Sequence, residues 1–89
     1  MVRTWIPLAV HPNPVRDRTV ISYDLAGNAQ VSGCIYDAAG NLVDRLVNSF
    51  EVSGRHEIIW NATAAAPGMY FFKLTAGAEG SSTRLIKVN

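Results

Sequence analysis

The side chains capable of chemistry are few in this sequence, and their spacing keeps them apart. The two histidines, His11 and His56, stand in different segments, and Cys34 is the only cysteine. A zinc site groups its ligands at short, characteristic spacings, which this pattern lacks. One cysteine excludes an internal disulfide within the sequence, and Cys34 reads as a small apolar residue. Asp17, Asp24, Asp37 and Asp44 lack the clustered oxygen ligands of a calcium loop. A site assembled in space from turn carboxylates stays open. No serine lies in a Gly-x-Ser-x-Gly elbow, and no glycine-rich phosphate loop carries a lysine. Paired carboxylates for glycosidic chemistry are open by pattern, but so small a domain offers little cleft. Asn61-Ala62-Thr63 is a formal glycosylation sequon and reads as chance. The sequence therefore predicts no catalysis, no cofactor and no metal.

Charge points the same way. Eight basic residues are scattered among seven acidic ones, for a net charge of +1. No Lys/Arg cluster is interleaved with aromatics, so the footprint of a nucleic-acid partner is absent. No apolar run approaches the ~18 residues of a membrane span. Met1-Val2-Arg3-Thr4-Trp5 lacks the charged and apolar regions of a signal peptide, although an excised C-terminal domain would have lost its parent's signal.

The elements that position these groups read as strands. Thr19–Leu25 alternates, with Ile21, Tyr23 and Leu25 on one face, a period of two. Gln30–Asp37 repeats the pattern through Val31, Gly33 and Ile35, where Gly33 marks a bulge or the close approach of an aromatic ring. Asp37–Asn41 is a tight connection in which the Asp37 carboxylate takes backbone donors. Leu42–Val47 returns antiparallel, and Asn48–Gly54 reads as a loop with a short edge segment at Phe50–Val52. Arg55–Asn61 places His56, Ile58 and Trp60 on one face, and Ala62–Ala66 is a crossover or irregular turn stopped by Pro67-Gly68. Met69–Ala76 carries Tyr70, Phe72 and Leu74 together, and Gly77–Gly80 signals a hairpin. Ser81–Val88 closes the chain with Ile86 and Val88 inward.

Strands recurring about every ten residues between turn residues predict an all-β, antiparallel sandwich. The count is seven, with an extra edge strand or lead-in segment over residues 1–10 and the sandwich over 11–89. The predicted core is Ile21, Tyr23, Leu25, Val31, Ile35, Val43, Leu46, Ile58, Trp60, Tyr70, Phe72, Leu74 and Ile86.

Three segments carry a resemblance, and it rests on their order and spacing. His11-Pro12-Asn13-Pro14 precedes the strand Thr19–Tyr23. Ile35–Val43 spans the second hairpin. Gly54-Arg55-His56 through Trp60-Asn61 leads to Pro67-Gly68-Met69-Tyr70 and Leu74. The series resembles the C-terminal sorting domains of type IX secretion substrates and the related Ig-like domain of the flagellar hook-capping protein, from His11 to the end. The resemblance implies a seven-stranded antiparallel Ig-like β-sandwich. It also implies a non-catalytic module that directs export and surface attachment of a larger bacterial protein.

By position, the residues that would carry sorting or partner binding are Pro12, Asn13, Pro14, Gly68, Tyr70, Leu85, Ile86, Lys87 and Val88. Val15-Arg16-Asp17-Arg18 departs from the family's usual continuation of Phe and a further Asn-Pro, and Asn89 stands where a basic residue is common. The implied partners are the outer-membrane secretion machinery and a covalently linked parent, and the implied location is the medium or cell surface, reached through the periplasm.

From the residues themselves, the two prolines predict a stiff, polyproline-like lead into the first strand, with the Asn13 amide capping a turn. Pro67–Tyr70 predicts a corner in which the tyrosine hydroxyl bonds upstream backbone. Two other functions stay open: a carbohydrate- or surface-binding module using Trp5 and Tyr36, and an Ig-like spacer that self-associates through edge strands. The last strand, with Arg84 and Lys87, could equally be an edge kept soluble by charge or one offered to a receptor.

Overall fold

The alternation read in the sequence is realised as strands in the computed structural model, which describes residues 6–89. They are β1 (Leu8–His11), β2 (Arg18–Leu25), β3 (Ala29–Asp37), β4 (Leu42–Glu51), β5 (Gly54–Asn61), β6 (Gly68–Ala76) and β7 (Glu79–Lys87). A three-stranded sheet runs β1-β2-β5 and a four-stranded sheet runs β4-β3-β6-β7, all antiparallel. The chain changes sheet three times, at Ala26–Asn28, at Val52–Ser53 and across Ala62–Pro67, so the small, featureless stretch is a crossover. The result is a β-sandwich of Ig-like character.

Cross-strand partners share a face, and this aligns the core. Ile21 sits opposite Ile58, Thr19 opposite Trp60, Ile35 opposite Phe72 and Gly33 opposite Leu74. Trp60, Tyr23, Phe72, Ile21, Ile35, Leu74 and Val31 are fully buried between the sheets. Burying each such side chain contributes about 1.5–3 kcal/mol. Gly33 fulfils both expectations held for it. A register shift falls between Gly33 and Cys34, and a Cβ at Gly33 would lie 2.9 Å from Phe72 Cζ and 2.8 Å from Val47 Cγ1.

The predicted count of seven strands holds, with different members. The loop expected at Asn48–Gly54 is strand almost throughout, because β4 continues to Glu51 and β5 starts at Gly54. The remaining strand is β1, paired with β2 from Leu8 opposite Tyr23 to His11 opposite Val20. Trp5, placed in that extra strand by the sequence reading, lies outside the described residues.

On β4 the core assignment of Val43 fails and that of Leu46 holds only in part, packed against the core's margin, for one reason. The ladder steps from Gly33–Val47 to Cys34–Arg45 and from Ile35–Asp44 to Tyr36–Leu42, which leaves Leu46 and Val43 as the extra residues of two bulges. A bulge breaks the period of two, so Val43 is 43% exposed and Leu46 is only half buried. Ile58 is half buried too, packed against the core. The last strand is read in the opposite parity: Leu85 and Lys87 face inward, and Ile86 is 41% exposed. Pairing decides this, since Leu85 sits opposite Tyr70, Thr83 opposite Phe72 and Ser81 opposite Leu74, all on the inner face of β6. The sequence reading also omitted Ile6, Val15, Ala62, Ala76 and Leu85, all buried.

Candidate functional site

The nine residues singled out from the sequence converge on one end of the sandwich. Pro12, Asn13 and Pro14 form an exposed, bent stretch between β1 and β2, with both X-Pro peptides cis, in place of a polyproline-like lead. The Thr19 hydroxyl donates to the Pro12 carbonyl at 2.7 Å and ties the bend to β2. The Asn13 amide caps no local turn. Its Nδ2 donates to the Arg84 carbonyl at 3.0 Å, and its Oδ1 accepts from the Ile86 N–H at 3.1 Å. Val15 continues the contact: its N–H donates to the Ile86 carbonyl at 2.7 Å, and its carbonyl accepts from Val88 N–H at 2.8 Å.

Asn13 and Val15 thus satisfy the outward backbone groups at the end of β7 and just beyond it, from Arg84 to Val88. Here the last strand is not an open edge, which removes this span from the choice between a charged edge and a strand offered for augmentation. Val15, in the stretch that departs from the family's pattern, is fully buried and forms a parallel bridge with Lys87. The sequence reading did not include it; the one signal was a lone apolar residue between Pro14 and three charged ones. The Arg16 guanidinium donates to the Asn89 carbonyl and holds the chain's last residues against the same segment.

Gly68 and Tyr70 approach from the other side of β7, opposite Lys87 and Leu85. Gly68 has φ +150°, a conformation that side-chain-bearing residues resist. It lets β6 start from the corner in which the Tyr70 hydroxyl donates to the Ala66 carbonyl at 2.6 Å, as predicted. The Trp60 ring meets Tyr70 edge-on at 5.3 Å. Lys87 lies 7% exposed, its Nζ donating to the Val88 carbonyl at 3.1 Å.

The nine residues are therefore together but do not form one surface. Leu85, Tyr70 and Lys87 are buried supports, whereas Pro12, Asn13, Pro14 and Ile86 are exposed and Val88 half-exposed. A surface groove lined by Pro12, Pro14, Arg16, Asp17, Arg18 and Val88 opens at this end.

A second polar cluster closes the opposite part of the sandwich. Tyr23 Oη donates to Glu51 Oε1 at 2.5 Å, and the His56 ring stacks on Tyr23 with centroids 5.4 Å apart. His56 Nε2 lies 2.7 Å from the Val52 carbonyl, which can only accept, so that nitrogen carries the proton. Burial pushes the Tyr23 hydroxyl far above the usual phenol range, helped by the hydrogen bond to Glu51 and by its charge. The trio joins β2, the end of β4 and β5, and its geometry is that of a structural tie.

A family description, the secretion system C-terminal sorting domain, matches residues 9–88 of this chain. The chain belongs to that family. The sorting domain matches no curated protein in sequence. It is similar in structure to PorZ of Porphyromonas gingivalis, described as an essential bacterial surface component of the type-IX secretion system, with TM-score 0.65 and 25% identity over 92% of this chain. It also shares its fold with dimeric latent PorU from Porphyromonas gingivalis, with TM-score 0.70 and 22% identity over 93% of the chain. The sorting domain spans only 11% and 9% of those two chains.

Proposed function

We propose that this sorting domain is a non-catalytic C-terminal address that takes a larger, covalently linked parent protein through the periplasm to the medium or cell surface. The observation that carries the reading is the family match over residues 9–88. The module's small share of its structural neighbours supports an appendage on something larger. The reading surface is the Pro12–Pro14 bend with Ile86 and Val88, held in shape by the Asn13 and Val15 bonds to β7, and the partner is the outer-membrane secretion machinery. Leu85, Lys87, Gly68 and Tyr70 act by keeping that surface folded.

The experiment is a secretion assay with the chain fused behind a signal peptide and a fluorescent cargo, in a host with an intact type IX system. Truncating at Ser82 would delete the fully buried Leu85 and unfold the domain, so point variants serve better. Export of the parent fusion, with retention of a folded Pro12→Ala/Pro14→Ala/Ile86→Ser variant, supports the reading. Equal export of both sinks the surface assignment, and periplasmic retention of both folded fusions sinks the address.

A further inference from the structure

The outer face of the four-stranded sheet adjoins the clamped end at Asn13, Pro14 and Ile86 and has a composition of its own. The register puts Leu42, Tyr36, Phe71 and Arg84 in one row and Arg45, Cys34, Lys73 and Ser82 in the next. Met69 and Ile86 pair beside them, 40% and 41% exposed, and Leu42 is 53% exposed. Arg45, Lys73 and Arg84 bring positive charge to this face, and the register places no Asp or Glu among these rows. Among the described residues none of the three makes a salt bridge.

Phe71 separates two shallow depressions. One is lined by Tyr36, Asp37, Ala38, Gly40 and Lys73, the other by Asn13, Pro14, Ser82, Thr83, Arg84 and Ile86. The one carboxylate at either depression, Asp37, is turned onto the Ala39 and Asn41 N–H groups at 3.0 and 2.9 Å. With a net charge of only +1, the chain concentrates on this face a positive field that its other faces offset.

We infer that this face is a docking surface for an acidic polypeptide whose carboxylates flank apolar or aromatic side chains. The inference goes beyond the export reading and shares with it only Ile86 and the Asn13–Pro14 rim, whereas Tyr36, Phe71, Lys73 and the Arg84 side chain belong to this face alone. Charge complementarity selects the acidic partner, and the exposed Leu42, Met69 and Ile86 select a protein over a sugar. A sugar platform needs an open aromatic face, whereas Tyr36 is half-buried with Lys73 Nζ 5.8 Å from its ring centroid. Phe71 is the apolar anchor, and Lys73 and Arg84 are the charges on either side of it.

The test uses the whole 89-residue chain and a labelled random glutamate–tyrosine copolymer as probe, with dextran sulfate for comparison, followed by fluorescence anisotropy. The copolymer is expected to bind more tightly than dextran sulfate, and Lys73→Glu and Arg84→Glu are each expected to weaken it about fivefold. Arg55→Glu changes the net charge equally on the other sheet, and is expected to leave binding within about twofold. Amide shifts in NMR titration are expected at Tyr36, Phe71, Lys73 and Arg84. No binding of the copolymer, equal weakening by Arg55→Glu, tighter binding of dextran sulfate, or shifts confined to the three-stranded sheet would each overturn the inference.

Discussion

The side-chain amide of Asn13 stands in for a strand residue beside Ile86, its Oδ1 accepting the Ile86 N–H at 3.1 Å while its Nδ2 donates to the Arg84 carbonyl at 3.0 Å. The two residues are 73 positions apart, and their bond joins the bend before the first long strand to the last strand. Asn13→Ala removes both bonds at an exposed position, and a loss of about 1 kcal/mol is expected. For a domain of this size that lowers Tm by about 4–8 °C. Asn13→Asp is expected to cost more, because an acceptor then faces the Arg84 carbonyl. Thermal melts of the two variants check the order.

Leu85 and Ile86 are neighbours on opposite faces, and truncation separates them. Leu85→Ala empties a fully buried position and is expected to cost about 2–5 kcal/mol. Ile86→Ala, at 41% exposure, is expected to cost under about 1 kcal/mol. Urea denaturation of both measures the parity of β7, and the reverse order would show that Ile86 faces the core.

Gly33→Ala is expected to destabilise by about 1–3 kcal/mol, since its Cβ meets Val47 Cγ1 at 2.8 Å and the fully buried Phe72 ring at 2.9 Å. Val47→Ala opens half of that contact. In a double-mutant cycle the pair is therefore expected to cost less than the sum of the singles. Strict additivity would refute the crowding.

Tyr70→Phe deletes only the bond to the Ala66 carbonyl and leaves the edge contact with Trp60. A loss of about 1 kcal/mol is expected, with the folded-state emission of Trp60 unchanged. A shift of that emission would show that the hydroxyl also positions the ring.

Asp37 sets an acid dependence. Hydrogen bonds from Asn41, then from Ala39 and Gly40, hold its carboxyl below the usual carboxylate value of 3.8. A folded-state value lower than the unfolded one gives stability that is present above about pH 4 and fades as pH falls through the folded value. Asp37→Ala is therefore expected to lower Tm near neutral pH. The gap to the unmodified chain is expected to close toward pH ~2, and a constant gap across that range would refute the linkage.

Much of this was legible beforehand because a strand writes its face into alternate residues. Ile21, Tyr23, Val31, Ile35, Trp60, Phe72 and Leu74 were readable as core from a period of two alone, and Asp37 and Tyr70 from the turn chemistry around them. Period fails where a bulge adds a residue, as at Val43 and Leu46, and where both parities offer aliphatic side chains, as in Leu85-Ile86-Lys87-Val88.

The sequence by itself determined the all-β class, the turns and the family, since local alternation, glycine and proline placement and motif order are properties of neighbouring residues. Only the tertiary structure decided that Asn13 and Val15 would close the edge of the last strand, that Leu85 rather than Ile86 would fill the core, and that Tyr36, Phe71, Lys73 and Arg84 would share a face. Those outcomes depend on which strand lies beside which and in what register. That choice is made by hydrogen bonds and side-chain packing between segments far apart in the chain, which no local pattern encodes.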